Sequence, residues 1–173
     1  RVNDDGTLRT EVNGGGVNGT TKVNDNQWHH VACVFSGNSV SGIKHYVDGK
    51  LEINGTVTAS SINTVKGLNV RISRGVNNRY FKGDIDEIRI WNVALTDVEI
   101  TAVKNQKSSS TDSRITLYYT FNDKNNATIT CNAPTPQNGK IIGNGAYRSL
   151  RGISIFKGFS LSSTRPNIQL IQG

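Results

Sequence analysis

Apolar and polar positions alternate two by two along most of this chain, which predicts many short strands separated by turns. Thr7 to Val12 reads as a first strand, and a second ends near Val23. Between them Asn13-Gly14-Gly15-Gly16-Val17-Asn18-Gly19 is rich in glycine, which tolerates positive φ almost anywhere and predicts a flexible loop. From Trp28 to Phe35 both alternating sets, Trp28/His30/Ala32/Val34 and His29/Val31/Cys33/Phe35, are largely apolar, as expected of a central strand covered on each face. Ile43 to Val47, the Asp48-Gly49 pair and Leu51 to Ile53 form the clearest hairpin, because Asp-Gly supplies the positive φ angles of a type I′ turn. Leu68, Val70 and Ile72 alternate with Asn69, Arg71 and Ser73, placing an apolar row inward and a basic stripe outward. The loop Arg74 to Tyr80 then leads into a strand from Gly83 to a buried Trp91.

The period changes once. Thr96 and Glu99 carry the reciprocal N-cap signature of a helix, which runs from about Asp97 to Asn105 with Val98, Ala102 and Ile100 facing in. Ser108 to Thr111 reads as a polar linker, and Ile115 to Phe121 and Gly139 to Tyr147 return to β structure. Beyond Ser149 the run from Ile153 to Ile171 is too apolar for a disordered tail. It is expected to be ordered and β-paired, within its own sandwich or on the edge of a neighbouring molecule.

Composition narrows the class. A chain of 173 residues suits one domain with a single core, and 35% apolar residues with 18 glycines fit a turn-rich β protein better than a helical bundle. No apolar run approaches the roughly 18 residues that a membrane span needs, and neither a signal peptide nor a lipidation motif is visible. The chain starts at Arg1 and contains no Met, which predicts a processed product or an excised fragment. Sequons at Asn18, Asn54 and Asn126 are compatible with secretion but carry little weight in so Asn- and Thr-rich a chain.

Three segments in order carry a resemblance: Gln27-Trp28-His29-His30-Val31-Ala32-Cys33-Val34-Phe35, then Tyr46-Val47-Asp48-Gly49-Lys50, then Gly83-Asp84-Ile85-Asp86-Glu87-Ile88-Arg89-Ile90-Trp91-Asn92 with the helix start behind it. Over roughly residues 5 to 147 the chain resembles the laminin-G-like and pentraxin branch of the concanavalin A-like jelly rolls. The resemblance implies an all-β jelly-roll sandwich of two antiparallel sheets with one short helix, lacking the family's first strands. It divides the chain into a jelly-roll domain, residues 1–148, and a β-rich extension, residues 149–173. It also places Cys33 where pentraxins carry a disulfide cysteine whose partner lies in those first strands. Cys131 could substitute, and the alternative is a small buried thiol.

Candidate chemistry is sparse. Asp84 and Asp86 share a strand face while Glu87 points away, and the Glu-x-Asp-x-x-Glu pattern of jelly-roll glycosidases is absent, so no catalytic pair is assigned. Turn capping or backbone hydrogen bonding is the expected role of these carboxylates. His29 and His30 are adjacent on a strand and face opposite sides, and His45 is the only other histidine, which argues against a zinc site. Pentraxins hold calcium in the loop that corresponds to Arg74 to Tyr80. This chain has Arg74, Asn77, Asn78 and Arg79 there and no carboxylate, so the resemblance implies no cofactor: the pentraxin-type calcium ligands are absent. A calcium site around Asn13, Asn18 or Asp123 has nothing further in its favour.

Twenty Lys and Arg against 13 Asp and Glu give a net charge of +7, with Arg71, Arg74, Arg79, Lys82 and Arg89 close together in sequence. Such a patch suits sulphated or uronic-acid glycans, or is a solvated sheet face. No nucleic-acid motif or pair of stacking aromatics accompanies it, which excludes nucleic acid as the expected partner. The expected function is a non-catalytic binding or adhesion module, secreted or on a cell surface, that holds a glycan, anionic polysaccharide included. The ligand-binding residues expected are Arg74, Asn77, Asn78, Arg79 and Tyr80, the tyrosine as a stacking ring. The alternative is a structural role, with self-association into a filament through exposed strand edges. A polysaccharide hydrolase or lyase lacks its machinery here.

Overall fold

The structure is a computed structural model that describes residues 1–12, 15–35, 41–56, 70–75, 79–105, 111–123, 128–142, 146–150 and 153–158, with the backbone alone at 12, 15, 41, 54–56, 146–150 and 153–158. The described part is built from antiparallel strands and one helix, as a concanavalin A-like jelly roll requires. Its hydrogen-bonded ladders form five small sheets, where two continuous ones were expected.

Strands β1 (Thr7–Val12) and β2 (Gly15–Lys22) pair as a hairpin. The expected flexible loop over residues 13–19 is therefore mostly strand; Asn13 and Gly14 lie outside the described residues. Here the glycines serve close approach: a Cβ on Gly16 would sit 2.6 Å from the Arg9 guanidinium, and one on Gly19 would sit 2.6 Å from the Glu52 carboxylate.

Strands β3 (Val31–Phe35), β4 (Ser41–Val47) and β5 (Lys50–Thr56) form the next ladder, in that order. The Asp48-Gly49 turn has positive φ at both residues, 53° and 78°, as the type I′ reading requires. The strand expected from Trp28 starts only at Val31. Asp48 Oδ1 accepts the N–H of His30 at 3.0 Å and the N–H of Asp48 donates to His30 O at 2.8 Å, so a turn closes off the ladder before Trp28. β3 is covered on both faces but lies at the edge of its ladder, with β4 in the centre. On one face Ala32, Val34 and Tyr46 pack with Leu95 and Ile100. On the other Cys33 and Phe35 pack with Val17, Ile43 and Ile53. Both cysteines are free thiols.

Of the next expected strand, Leu68 and Asn69 lie outside the described residues, and residues 70–73 are not strand. Val70 is 47% exposed, so of the two described residues of the apolar row only Ile72 packs on the core. Ser73, at φ 68°, breaks the extended backbone. The strand expected from Gly83 to Trp91 is two, β6 (Gly83–Ile85) and β7 (Ile88–Trp91). The break falls at Glu87, whose φ is 54° and whose N–H donates to Asp86 Oδ1 at 2.9 Å. The two halves serve different ladders: β7 pairs with β8 (Ile115–Tyr119), whereas β6 pairs with β12 (Ile153–Gly158), itself joined to β11 (Ala146–Leu150). The first part of the C-terminal run is thus paired within its own chain. The run beyond residue 158 lies outside the described residues, as does the linker 106–110. β9 (Thr128–Ile129) and β10 (Gly139–Lys140) close the list of strands.

Helix α1 spans Asp97–Asn105. Its capping box is made as expected: Thr96 N–H donates to Glu99 Oε2 at 2.8 Å and Glu99 N–H to Thr96 Oγ1 at 3.3 Å. The inward face differs, because Ile100 and Val103 pack while Val98 is 79% exposed and Ala102 is exposed. The helix is rotated by polar ties to the sheet: Tyr46 Oη donates to Asp97 Oδ1 at 2.6 Å, and Thr101 Oγ1 to Gly49 O at 3.2 Å. Residues 97, 100, 101 and 104 therefore share the sheet-facing side.

Trp91 is half-buried where full burial was expected. It packs against both the main core, with Ile115, Tyr119 and Phe121, and the cluster under α1, and Arg114 lies over its ring at 5.6 Å. Phe121→Ala, at a fully buried site, is expected to cost about 3–5 kcal/mol, and Trp91→Ala less than that range, both by urea denaturation. A Trp91→Ala cost as large as that of Phe121→Ala would contradict this placement.

The Glu99 carboxyl is held down to about 2 by Arg114, whose Nη1 lies 2.6 Å away, and by the Thr96 N–H and hydroxyl. A folded-state value below the unfolded one gives stability that is present above the ordinary 4.5 and lost as pH falls towards 2. Thermal melting across that range should show a shallower acid limb in Glu99→Gln than in the parent; identical limbs would overturn the assignment.

Candidate functional site

A groove of about 1160 Å³ lies among the described residues. One wall is the segment from Asn24 to Phe35, the other runs from Phe81 to Trp91, and α1 contributes Ile100, Val103 and Lys104. Both walls mix apolar side chains with polar and charged ones. That is the usual make-up of a ligand site.

Trp28 is the most unusual of these residues. It is 55% exposed although it heads the most apolar stretch of the chain. The physical reason is the early end of the ladder at His30: Trp28 belongs to the connection between β2 and β3 and no longer to a packed strand. Asn24, Asn26 and Gln27 precede it, all exposed, with Asn26 at φ 65°. His29 beside it is fixed between two carboxylates, with Nδ1 at 2.9 Å from Asp48 Oδ2 and Nε2 at 3.0 Å from Asp25 Oδ1. The hydrogen bond to Asp48 raises its pKa above the usual 6.5, against the effect of burial. His30 turns the other way, and burial lowers its pKa, so it is a neutral imidazole whose Nδ1 has no hydrogen-bond partner. The adjacent histidines thus face different surroundings, although neither lies on the strand that the sequence alternation predicts. No group of three or more His, Cys, Asp or Glu side chains among the described residues could hold a metal ion.

Two of the three acidic residues on the opposite wall, Asp86 and Glu87, are structural in their contacts. Asp86 caps the strand break at Glu87. Glu87 Oε2 accepts from Tyr118 Oη at 2.7 Å and from the Arg89 guanidinium, which itself stacks over the Tyr118 ring at 4.8 Å. Arg89 is consequently withdrawn from the basic patch that its sequence position suggested, with only 9% of its side chain exposed. Burial, and then the bond to Glu87, push the Tyr118 phenol above its usual 10.

The sequence-expected site directly precedes in sequence the groove wall that starts at Phe81. Arg74 and Tyr80 form an antiparallel bridge, Gly75 N–H donates to Arg79 O at 2.8 Å, and Phe81 N–H donates to Ser73 O at 2.9 Å. Arg74 is exposed, Arg79 and Tyr80 are half-buried, and the Arg74 guanidinium lies 5.7 Å from the Tyr80 ring centre. One face of the expected stacking ring is thus already taken by an arginine. Asn77 and Asn78 lie outside the described residues. Arg71 and Lys82 are exposed, and Lys82 lines the groove. Sequence reasoning missed Trp28 because a Trp at the head of an alternating apolar run reads as core. The signal that could have found it is the cluster of turn-forming residues Asn24-Asp25-Asn26 just upstream.

No helix among the described residues is long and apolar enough to cross a membrane. No curated protein and no solved structure gives a significant match to the chain. A laminin-G-type family model, described as the Concanavalin A-like lectin/glucanases superfamily, matches residues 1–101, more than half of the sequence and the part that contains the Trp28 wall, the Asp48 turn, the β6–β7 break and the start of α1. The chain therefore belongs to the laminin-G-like branch of the Concanavalin A-like lectin/glucanases superfamily.

Proposed function

We propose that this chain is a non-catalytic carbohydrate-binding module of a secreted or surface-attached protein, and that the sugar lies in the groove against Trp28. The observation that carries this reading is the 55% exposed indole at a groove whose lining combines amides and apolar side chains with charged groups of both signs. A sugar ring presents an apolar face to stack on an aromatic and hydroxyls that pair with Asn24, Asn26 and Gln27. The rim at Arg74, Arg79 and Tyr80, with Asn77 and Asn78 between them, continues in sequence into Phe81 and Lys82 of the groove wall. It supplies guanidinium and ammonium groups for the acidic substituents of an anionic polysaccharide. The family supports ligand binding in general, and the absence of a catalytic role is supported by the use of Glu87 and Asp86 as acceptors for Tyr118, Arg89 and the backbone.

A second reading, assembly by strand addition, is favoured by one observation. Among the described residues β3 has a ladder partner only in β4, and β7 only in β8. Unpaired edges recruit strands from other chains. Light scattering over a wide concentration range separates the two, since a constant monomer mass opposes assembly.

Trp28→Ala should leave the melting temperature close to that of the parent and weaken binding of neutral and uronic-acid oligosaccharides about tenfold or more, because a central aromatic contact is worth on the order of 1–2 kcal/mol. Isothermal titration and a glycan array read this directly. Sugar binding undiminished by Trp28→Ala, or no binding to any glycan on the array, would sink the proposal.

A further inference from the structure

His29 is held at both ring nitrogens by carboxylates, and those carboxylates belong to different parts of the chain. Asp48 sits in the β4–β5 turn at φ 53°, and its other oxygen takes the His30 N–H at 3.0 Å. Asp25 lies between β2 and β3, and its Oδ1 also takes the Gln27 N–H at 2.9 Å. Each carboxylate is thus anchored by the backbone independently of the histidine. A neutral imidazole has one N–H, so one of the two contacts, 2.9 Å and 3.0 Å, would then set a lone pair against a carboxylate oxygen. Only the imidazolium donates to both at once.

We propose that protonated His29 is a pH-sensitive staple that fixes the segment Asp25–Trp28 to the β4–β5 turn and so holds the Trp28 ring in place at the groove. Deprotonation removes one of the two bonds, and the tautomer that keeps the shorter contact, to Asp48, gives up the one to Asp25 and leaves that carboxylate with its Gln27 N–H alone. This rests on the reading of Trp28 as the sugar platform and adds its regulation.

The neighbouring charges agree with this assignment. Lys104 of α1 acts on both Asp48 and His30, and Arg89 acts on His30. His30 has its pKa lowered by burial, so it stays neutral in the range where His29 titrates. Hydrogen bonds from His29 and from the His30 N–H lower the Asp48 pKa against burial, and the Gln27 N–H and then His29 lower that of Asp25, so both stay ionised. The His29 pKa is raised above 6.5. The staple's contribution is therefore complete below 6.5 and disappears as pH rises through the higher folded-state value.

The test follows histidine ring signals by NMR and Trp28 fluorescence in a Trp91→Phe background, from about pH 5 to about pH 9, together with titration of a uronic-acid oligosaccharide at both ends of the transition. The expected result is a His29 midpoint above 6.5, a Trp28 emission change at the same midpoint, and a several-fold loss of affinity on the alkaline side. Asp25→Asn should move the midpoint back towards 6.5, and His29→Gln should abolish the Trp28 transition. A His29 midpoint at or below 6.5, or Trp28 emission that ignores the His29 titration, overturns the staple whatever the sugar does. If His29 and Trp28 titrate together but no oligosaccharide binds at any pH, the staple stands and the carbohydrate reading fails.

Discussion

Trp91 and Phe81 join three of the four core clusters into one. Among the described residues the buried side chains form four clusters, of which the largest contains Ile85, Ile88, Ile115 and Phe121. Trp91 joins it to the cluster between β4 and α1, and Phe81 joins it to the cluster of Val2, Leu8 and Val47. Both rings line the groove and neither is fully buried. The same residues that couple the halves of the fold thus form part of the candidate binding surface. This explains how a groove of that size can persist: its lining is held from behind by packed clusters on either side.

A second theme is the use of carboxylates in place of ladder hydrogen bonds. At five points among the described residues where a strand starts, breaks or ends, an acidic side chain takes a backbone N–H. Asp5 does so for Thr7, Asp48 for His30, Asp86 for Glu87, Asp112 for Arg114 and Asp123 for Thr130. Glu52 of β5 ties β2 to its own sheet through the N–H groups of Thr20, at 2.5 Å, and Thr21. Buried or half-buried backbone donors need such partners, and they also explain the separation into small sheets. Several carboxylates are engaged with the protein's own backbone, while Arg71, Arg74 and Lys82 are exposed.

How much of this was legible in the sequence follows from which interactions are local. The Asp48-Gly49 turn and the Thr96–Glu99 cap depend on residues within four positions of one another, and both form as the sequence predicts. The helix face was misread because Asp97 and Thr101 are tied to Tyr46 and Gly49, about fifty positions away, and those ties outweigh the burial of Val98. The strand from Gly83 to Trp91 was read as continuous because its apolar alternation passes through the break. What divides it is a change of partner, β12 for β6 and β8 for β7, which no local pattern encodes. The glycine-rich stretch was read as flexible because glycine's freedom is local, whereas its use here, room for Arg9 and Glu52, is tertiary.

The candidate site follows the same division. Arg74, Arg79 and Tyr80 were expected from a family correspondence and a charge pattern, and the structure joins this segment in one turn-like bridge. Trp28 was assigned to the core because a period of two places it with Ala32 and Val34. Its exposure is decided by Asp48, twenty positions later, which captures the His30 N–H and ends the ladder before the indole can join it. The same Asp48 turns its other oxygen to His29. One side chain in a tight turn therefore determines where β3 begins, leaves Trp28 outside the packed interior, and provides the counter-charge that holds the segment in that position.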